Sequence, residues 1–259
     1  MVSRKIINQE IQESFHWIDL SLQDFRKVLP ATDEVGNGAN FLVALCGLAI
    51  TEIIAKLYYP YTFFKTKCKG KRLVRTRGYT VVVKGKREKL KPDSLKRIDT
   101  KLAVFNFYRN CFKNKRYATL AYLIWEVFRN GHIHLFRPKR IRNIPIPEFD
   151  NSAASGVKWV DIKLLVKYSN YRKDIEEENL KFVKMKIKGK DRPVFIFIPH
   201  IYYFDLCEAV QNFKTQLNTN QNLRIRFHKA HQLLMQAKNL DLIRDKEKDI
   251  IVPEIKKLL

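Results

Sequence analysis

The sequence predicts a mainly α protein, a helical bundle carrying a small β-hairpin and a basic insert. Two helix-forming stretches and one β-rich pair support this. Apolar residues recur at spacings of three and four in residues 4–29 (Ile7, Ile11, Phe15, Ile18, Leu22, Phe25, Leu29), which sets them on one helical face. Residues 41–59 and 117–128 are apolar runs of helical length. Only residues 181–198 read as an antiparallel pair, with Lys188-Gly189-Lys190-Asp191 as the turn.

The remaining elements follow in chain order. Pro30 ends the first helix, and 31–40 is a loop by composition. Asn40 is placed to cap the second helix, Phe41 to Tyr59, which Pro60 closes. That helix is apolar nearly all round and is expected at the centre. Residues 61–97 form a basic insert, a hairpin or loop in which Tyr79 to Val83 is a candidate strand. A third helix runs from Ser94 or Asp99 to Phe112, and Tyr117 to Phe128 forms a fourth, unbroken one. Residues 158–168 read equally as a strand or a short helix. Residues 201–217 and 222–238 are further helices. The chain reads as one domain over 1–259, with the insert at 61–97 and a β-containing elaboration at 157–200.

Length, charge and cysteine content narrow the function. A chain of 259 residues can bury a sizeable core, and 17 Phe with 11 Tyr argue that it does. The formal charge of +24 calls for an anionic partner, nucleic acid before a membrane surface. Residues 61–145 hold 24 Lys and Arg against 4 Asp and Glu, most of the excess. The candidate RNA-binding cations lie there: Lys65, Lys67, Lys69, Lys71, Arg72, Arg75, Arg77, Lys113, Lys115, Arg116, Arg137, Lys139 and Arg140. A solvated basic face is the plainer reading of such a run. The four cysteines, Cys46, Cys68, Cys111 and Cys207, show no zinc-finger or thioredoxin spacing. Cys46 and Cys207 read as core residues of a reduced, cytoplasmic protein. The longest apolar run, 41–55, is shorter than the roughly 20 residues a membrane span needs and contains Glu52, so no membrane partner is expected.

The chemistry concentrates in Arg129-Asn130-Gly131-His132-Ile133-His134. RNA is cut without metal when a base takes the 2′-hydroxyl proton and a cation stabilises the crowded phosphorus. Histidine titrates near neutral pH and suits the first role. Arginine keeps its charge and its planar fork matches phosphate oxygens. Arg129, Asn130 and His134 are the catalytic candidates, and His132, Glu52 and Glu126 are candidate supports. Glu52 sits in an apolar helix, where a carboxylate needs a partner, either Arg129, His134 or a lysine elsewhere. Glu126 lies one turn before Arg129 and can pair with it. His132 and His134 lack a third ligand nearby, so no metal or other cofactor is expected.

The spacing alone is weak. With 18 Arg and 6 His, about 0.4 chance Arg-x4-His matches are expected. Arg226 and His231 form a second one, read as surface or structural residues of an amphipathic helix. The first match is distinguished by its Asn, the apolar helix before it and its basic surroundings. Phe107, Tyr108, Phe112 and Tyr117 interleave with Arg109, Lys113, Lys115 and Arg116. That mixture serves either base stacking or, more commonly, a core stripe beside a solvated face.

The run from Leu123 to His134 resembles the signature helix of the HEPN superfamily, in which an Arg, often followed by Asn, Asp or His, is followed by a His after four to six intervening residues. The Arg-Asn-x-x-x-His form matches the RNA-guided, RNA-cleaving CRISPR effectors. Residues 40–53 are similar to the helix that often precedes that signature. The resemblance covers about residues 1–140. It implies a helical bundle, a homodimer with the Arg and His of both subunits at a shared cleft, and a metal-independent endoribonuclease of toxin or phage-defence type. A regulatory partner protein fits that class. The alternative on the same fold is a non-catalytic RNA-binding or assembly module.

Overall fold

The computed structural model describes residues 3–30, 39–60, 62–67, 73–76, 80–83, 86–89, 95–130, 141–142, 152–158, 166–187 and 189–240. Its helices are α1 (Arg4–Val28), α2 (Ala39–Tyr58), α3 (Thr100–Cys111), α4 (Arg116–Thr119), α5 (Ala121–Leu123), a π-helical segment (Ile124–Arg129), α6 (Ser169–Glu178), α7 (Pro199–Thr219) and α8 (Gln221–Leu240). The fold is mainly α, as the periodicity predicts.

Helix α1 starts where the Ser3 hydroxyl accepts the Lys5 N–H at 3.2 Å. Its face Ile7, Phe15, Ile18, Leu22, Phe25 and Leu29 is buried. Helix α2 packs against α1, α3, α7, α8 and the π-segment, so it is the central element. It begins at Ala39, two residues before the expected start. Asn40 therefore lies inside its first turn rather than at the cap. The helix is not buried all round, for Leu42, Cys46, Ala49 and Ile53 form an exposed stripe. Cys46 is thus no core residue, Cys207 is half-buried, and Cys111 is the buried thiol. At Gly47 three helices meet. A Cβ there would stand 2.7 Å from the Phe25 ring and 3.1 Å from the Tyr202 ring, so a hydrogen is required.

Aromatic rings fill the centre. Phe107, Tyr108, Phe112 and Tyr117 are all buried, with Tyr202, Phe213 and Phe227 beside them. Their edges meet faces, as in the pair Tyr58 and Phe213 at 5.1 Å and 86°. The core-stripe reading of 107–117 therefore holds and base stacking by those four rings is excluded. The ring hydroxyls find partners inside. Tyr202 Oη lies 2.6 Å from Thr51 Oγ1 and 2.9 Å from Tyr108 Oη. Tyr117 donates to Asp205 at 2.7 Å and accepts from Asn179 at 3.0 Å. Burial pushes the Asp205 carboxyl up to about 6, against the pull of the Tyr117 hydroxyl.

The basic insert is more ordered than a loop. Strands β1 (Thr62–Lys67), β2 (Leu73–Thr76) and β5 (Leu95–Ile98) form one antiparallel sheet, and β3 (Thr80–Val83) pairs with β4 (Lys86–Lys89). The predicted hairpin is present as β8 (Lys181–Ile187) and β9 (Lys190–Phe197), in register from Lys181↔Ile196 to Ile187↔Lys190. Gly189 supplies the left-handed turn at φ +77°. Two strands not expected from the sequence extend the hairpin into a four-stranded sheet, β6 (Ile141–Arg142) and β7 (Ser152–Val157). Strand β7 runs parallel to β9. The β region therefore begins before residue 157. Residues 159–165 lie outside the described residues, so the strand-or-helix choice at 158–168 is answered only at Val166 and Lys167, which are helical.

Candidate active site

The expected unbroken helix over 117–128 is three pieces. Helix α4 stops at Leu120, whose φ −98°, ψ 10° leaves the helical region, and α5 runs into the π-segment. The wide turn closes with the Asn130 N–H bonded to the Trp125 carbonyl, five residues back. Nothing in the sequence marks this break, since neither Gly nor Pro occurs between 117 and 130. The π-turn buries Ile124, Trp125, Val127 and Phe128, leaving Glu126 and Arg129 half-buried on the other side.

There Arg129 is gripped from three directions. Its Nε and Nη2 donate to the two carboxylate oxygens of Glu52, the second bond at 3.2 Å. This fork-to-fork pair fixes the guanidinium plane. Its Nη1 donates to Asn130 Oδ1 at 3.0 Å. The indole of Trp125 lies under the guanidinium, 4.6 Å from Cζ. A guanidinium has five N–H groups. Three are used among the described residues, which leaves one on each terminal nitrogen for an anion. A small pocket opens beside the pair, lined by Leu48, Val104, Tyr108, Ile124 and Trp125.

The hydrogen bonds continue outward. Asn130 Nδ2 donates to Glu126 Oε2 at 3.1 Å, and Lys101 Nζ donates to Glu126 Oε1 at 2.9 Å. Glu126 thus binds Asn130 and Lys101 at the positions where pairing with Arg129 was expected. Glu52 and Arg129 side chains are 13% and 23% accessible, so their attraction is stronger than that of the surface pair Lys101–Glu126. Four formal charges, two of each sign, sit in this cluster.

His132 and His134, with Arg137, Lys139 and Arg140, lie outside the described residues, as do Lys69, Lys71, Arg72 and Arg77. Lys65, Lys67 and Arg75 stand in the β1–β2 pair, where Lys65 faces Arg75 across the strands. Lys113 is exposed and paired with Glu208 at 2.5 Å, and Lys115 is exposed. Arg116 is committed elsewhere. Its Nη1 donates to the Glu177 and Asn179 carbonyls at 3.1 and 3.2 Å, satisfying the C-terminal end of α6. That nitrogen serves as a structural cap, a role the sequence reading did not assign to Arg116.

The second Arg-x4-His run is structural. Arg226 lies over the Tyr59 ring at 4.9 Å. His231 is buried, stacked on Phe227, with Nδ1 3.5 Å from Glu10 Oε1. Sequence reasoning missed the acid at its centre. Glu10 is buried and is met by His228 Nδ1 at 2.7 Å and Gln232 Nε2 at 2.8 Å. The signal was present, because Glu10 falls on the apolar face of α1, three residues after Ile7. Lys101 was missed as well, and no sequence spacing links it to Glu126.

Among the described residues no group of three or more His, Cys, Asp or Glu is placed to hold a metal ion. No described helix is long and apolar enough to cross a membrane. Comparison with protein-family models, with curated proteins and with solved structures finds no match.

Proposed function

We propose that this chain is a metal-independent endoribonuclease that cuts single-stranded RNA by attack of the 2′-hydroxyl. The observation that carries the reading is the clamp on Arg129. A carboxylate, an amide and an indole hold one guanidinium in a fixed plane, with two N–H groups left for phosphate oxygens. Such pre-orientation serves an anion whose charge develops during a reaction. His134, five residues on, is the base. It takes the 2′-hydroxyl proton, the 2′-oxygen attacks the neighbouring phosphorus, and the bond to the 5′-oxygen breaks. The 5′-oxygen takes a proton from water as it leaves, giving a 2′,3′-cyclic phosphate and a 5′-hydroxyl, and His134 returns its proton to solvent. The basic insert neutralises the flanking backbone.

The resemblance to HEPN nucleases supports a homodimer in which two such motifs face each other, in a cytoplasmic toxin or defence role under a regulatory partner. The exposed stripe Leu42, Cys46, Ala49 and Ile53, on the helix that carries Glu52, is an apolar face suited to a second copy. Sedimentation of wild type against Ile53→Lys reads this directly, with a dimer in the first and a monomer in the second.

A specific observation favours a second reading. Glu52 neutralises Arg129 in the resting state. A non-catalytic RNA-binding module would have the same pair as a structural bridge. The deciding experiment incubates purified protein with mixed single-stranded RNA in EDTA, beside His134→Ala and Arg129→Ala. Cleavage by wild type alone, leaving cyclic phosphate ends, is expected. Equal cleavage in both variants overturns the enzyme reading, and salt-sensitive binding without cleavage selects the module.

A further inference from the structure

Tyr122 is a large aromatic side chain the fold does not use. It is 61% exposed, although Ala121 and Ile124 on either side are buried. Its ring is not bare. The Lys101 ammonium lies 4.2 Å from the ring centroid and so covers one face. The residue is 61% exposed with that ammonium in place. The same ammonium donates to Glu126, whose second oxygen accepts from Asn130, which in turn accepts from Arg129. A chain of three hydrogen bonds, through Glu126 and Asn130, therefore joins Lys101 to Arg129, with the Tyr122 ring against the same ammonium.

We propose that Tyr122 and Lys101 form a base-stacking subsite for the nucleotide adjacent to the phosphate bound at Arg129. The inference rests on the RNA reading above. An open aromatic face accepts any base, since every base has a π-face, and a cation beside it neutralises the phosphate linking that base to its neighbour. The Lys101–Glu126 pair is about one-third accessible on both sides. Such a pair contributes little by itself, so phosphate can replace the carboxylate at small cost. This subsite gives the enzyme a grip on unpaired strands, because a base inside a duplex cannot reach the ring.

The test measures binding without cleavage, using a short single-stranded oligoribonucleotide whose 2′-hydroxyls are methylated. Wild type, Tyr122→Phe and Tyr122→Leu are compared by fluorescence anisotropy, with thermal melts to show that the exposed substitutions leave the fold intact. Tyr122→Leu is expected to weaken binding about tenfold, and Tyr122→Phe less than about twofold. An abasic position is then walked along the oligonucleotide. One position should weaken wild type about tenfold and leave Tyr122→Leu unaffected, a coupling that a merely structural tyrosine would not produce. Equal affinity of wild type and Tyr122→Leu, or equal abasic sensitivity in both, overturns the subsite while the cleavage results of the Arg129 and His134 variants still stand. Absence of any RNA binding by wild type overturns the subsite together with the reading beneath it.

Discussion

Arg129 to His134 and Arg226 to His231 have the same spacing, and the molecule treats them in opposite ways. In the first, the acid Glu52 comes from another helix and clamps the arginine at a widened helical turn. In the second, the acid Glu10 comes from another helix and engages the histidine side, while Arg226 rests on Tyr59. Glu10 and His231 are buried between α1 and α8 within ordinary helical turns, with His228 half-buried and Gln232 exposed beside them. Around Arg129 the helix is distorted and the group remains partly open. A shared spacing therefore says little. What differs is which end of the pair the buried carboxylate serves and whether donors are left over.

The largest expected effect separates the two arginines. Arg129→Ala should lower RNA cleavage about 1,000-fold, the upper range for loss of one pre-oriented donor. Arg226→Ala should stay within about twofold, because it removes only a partly exposed ring contact. Equal losses in the two variants, read by initial cleavage rates, would end the contrast.

Glu10→Ala comes next and acts on stability. It leaves His228 and Gln232 without their acceptor between two helices. A loss of about 3 kcal/mol is expected in urea unfolding, with activity per folded molecule unchanged. Glu52→Ala, by contrast, should cost activity more than stability, since its partner can still reach water.

A third effect belongs to Asp205 and is read against pH. Its carboxyl is pushed up to about 6 in the folded chain, above the ordinary 3.8. Between those values the folded state binds more protons than the unfolded one, so stability falls as pH rises from about 4 to about 6. About 3 kcal/mol is at stake across that window. Asp205→Asn keeps an oxygen to accept the Tyr117 hydroxyl and should flatten this part of the profile, with a higher melting temperature at pH 7. An unchanged slope would place the titration elsewhere.

The smallest effect sharpens the site itself. Glu52→Gln keeps a hydrogen-bonding group beside Arg129 and removes the opposing charge. RNA binding should tighten while cleavage falls about tenfold, since the guanidinium is freed but no longer held in plane. A drop in both would make Glu52 a structural bridge only.

These contrasts also mark what the sequence can and cannot say. The apolar period of α1 was legible because helix geometry alone decides which residues share a face, and those residues are the buried ones. The hairpin was legible for the same local reason, with Gly189 supplying its turn. Helix α6 (SNYRKDIEEE) was not, since it buries a single apolar residue, Ile175, and leaves no stripe. Its end is secured by Arg116, some 60 residues away, and a contact of that range leaves no spacing signal. The Glu52–Arg129 pair was open to inference from the high cost of an unpaired acid in an apolar helix. That argument could not choose among partners, and it could not foresee the π-turn that presents Arg129 to Glu52.

Counted as chain length, that π-turn is a single surplus residue. An α-helix advances about 100° per residue, so removing one residue upstream, Leu123 for instance, would let the turn relax to regular α geometry. Everything before the deletion would keep its packing. A turn that relaxes in this way absorbs the lost residue and keeps Arg129 directed at Glu52, whereas a turn that stayed wide would carry it about 100° away. The gain or loss of one codon here would therefore test how the wide turn aims Arg129, without changing any residue of the motif.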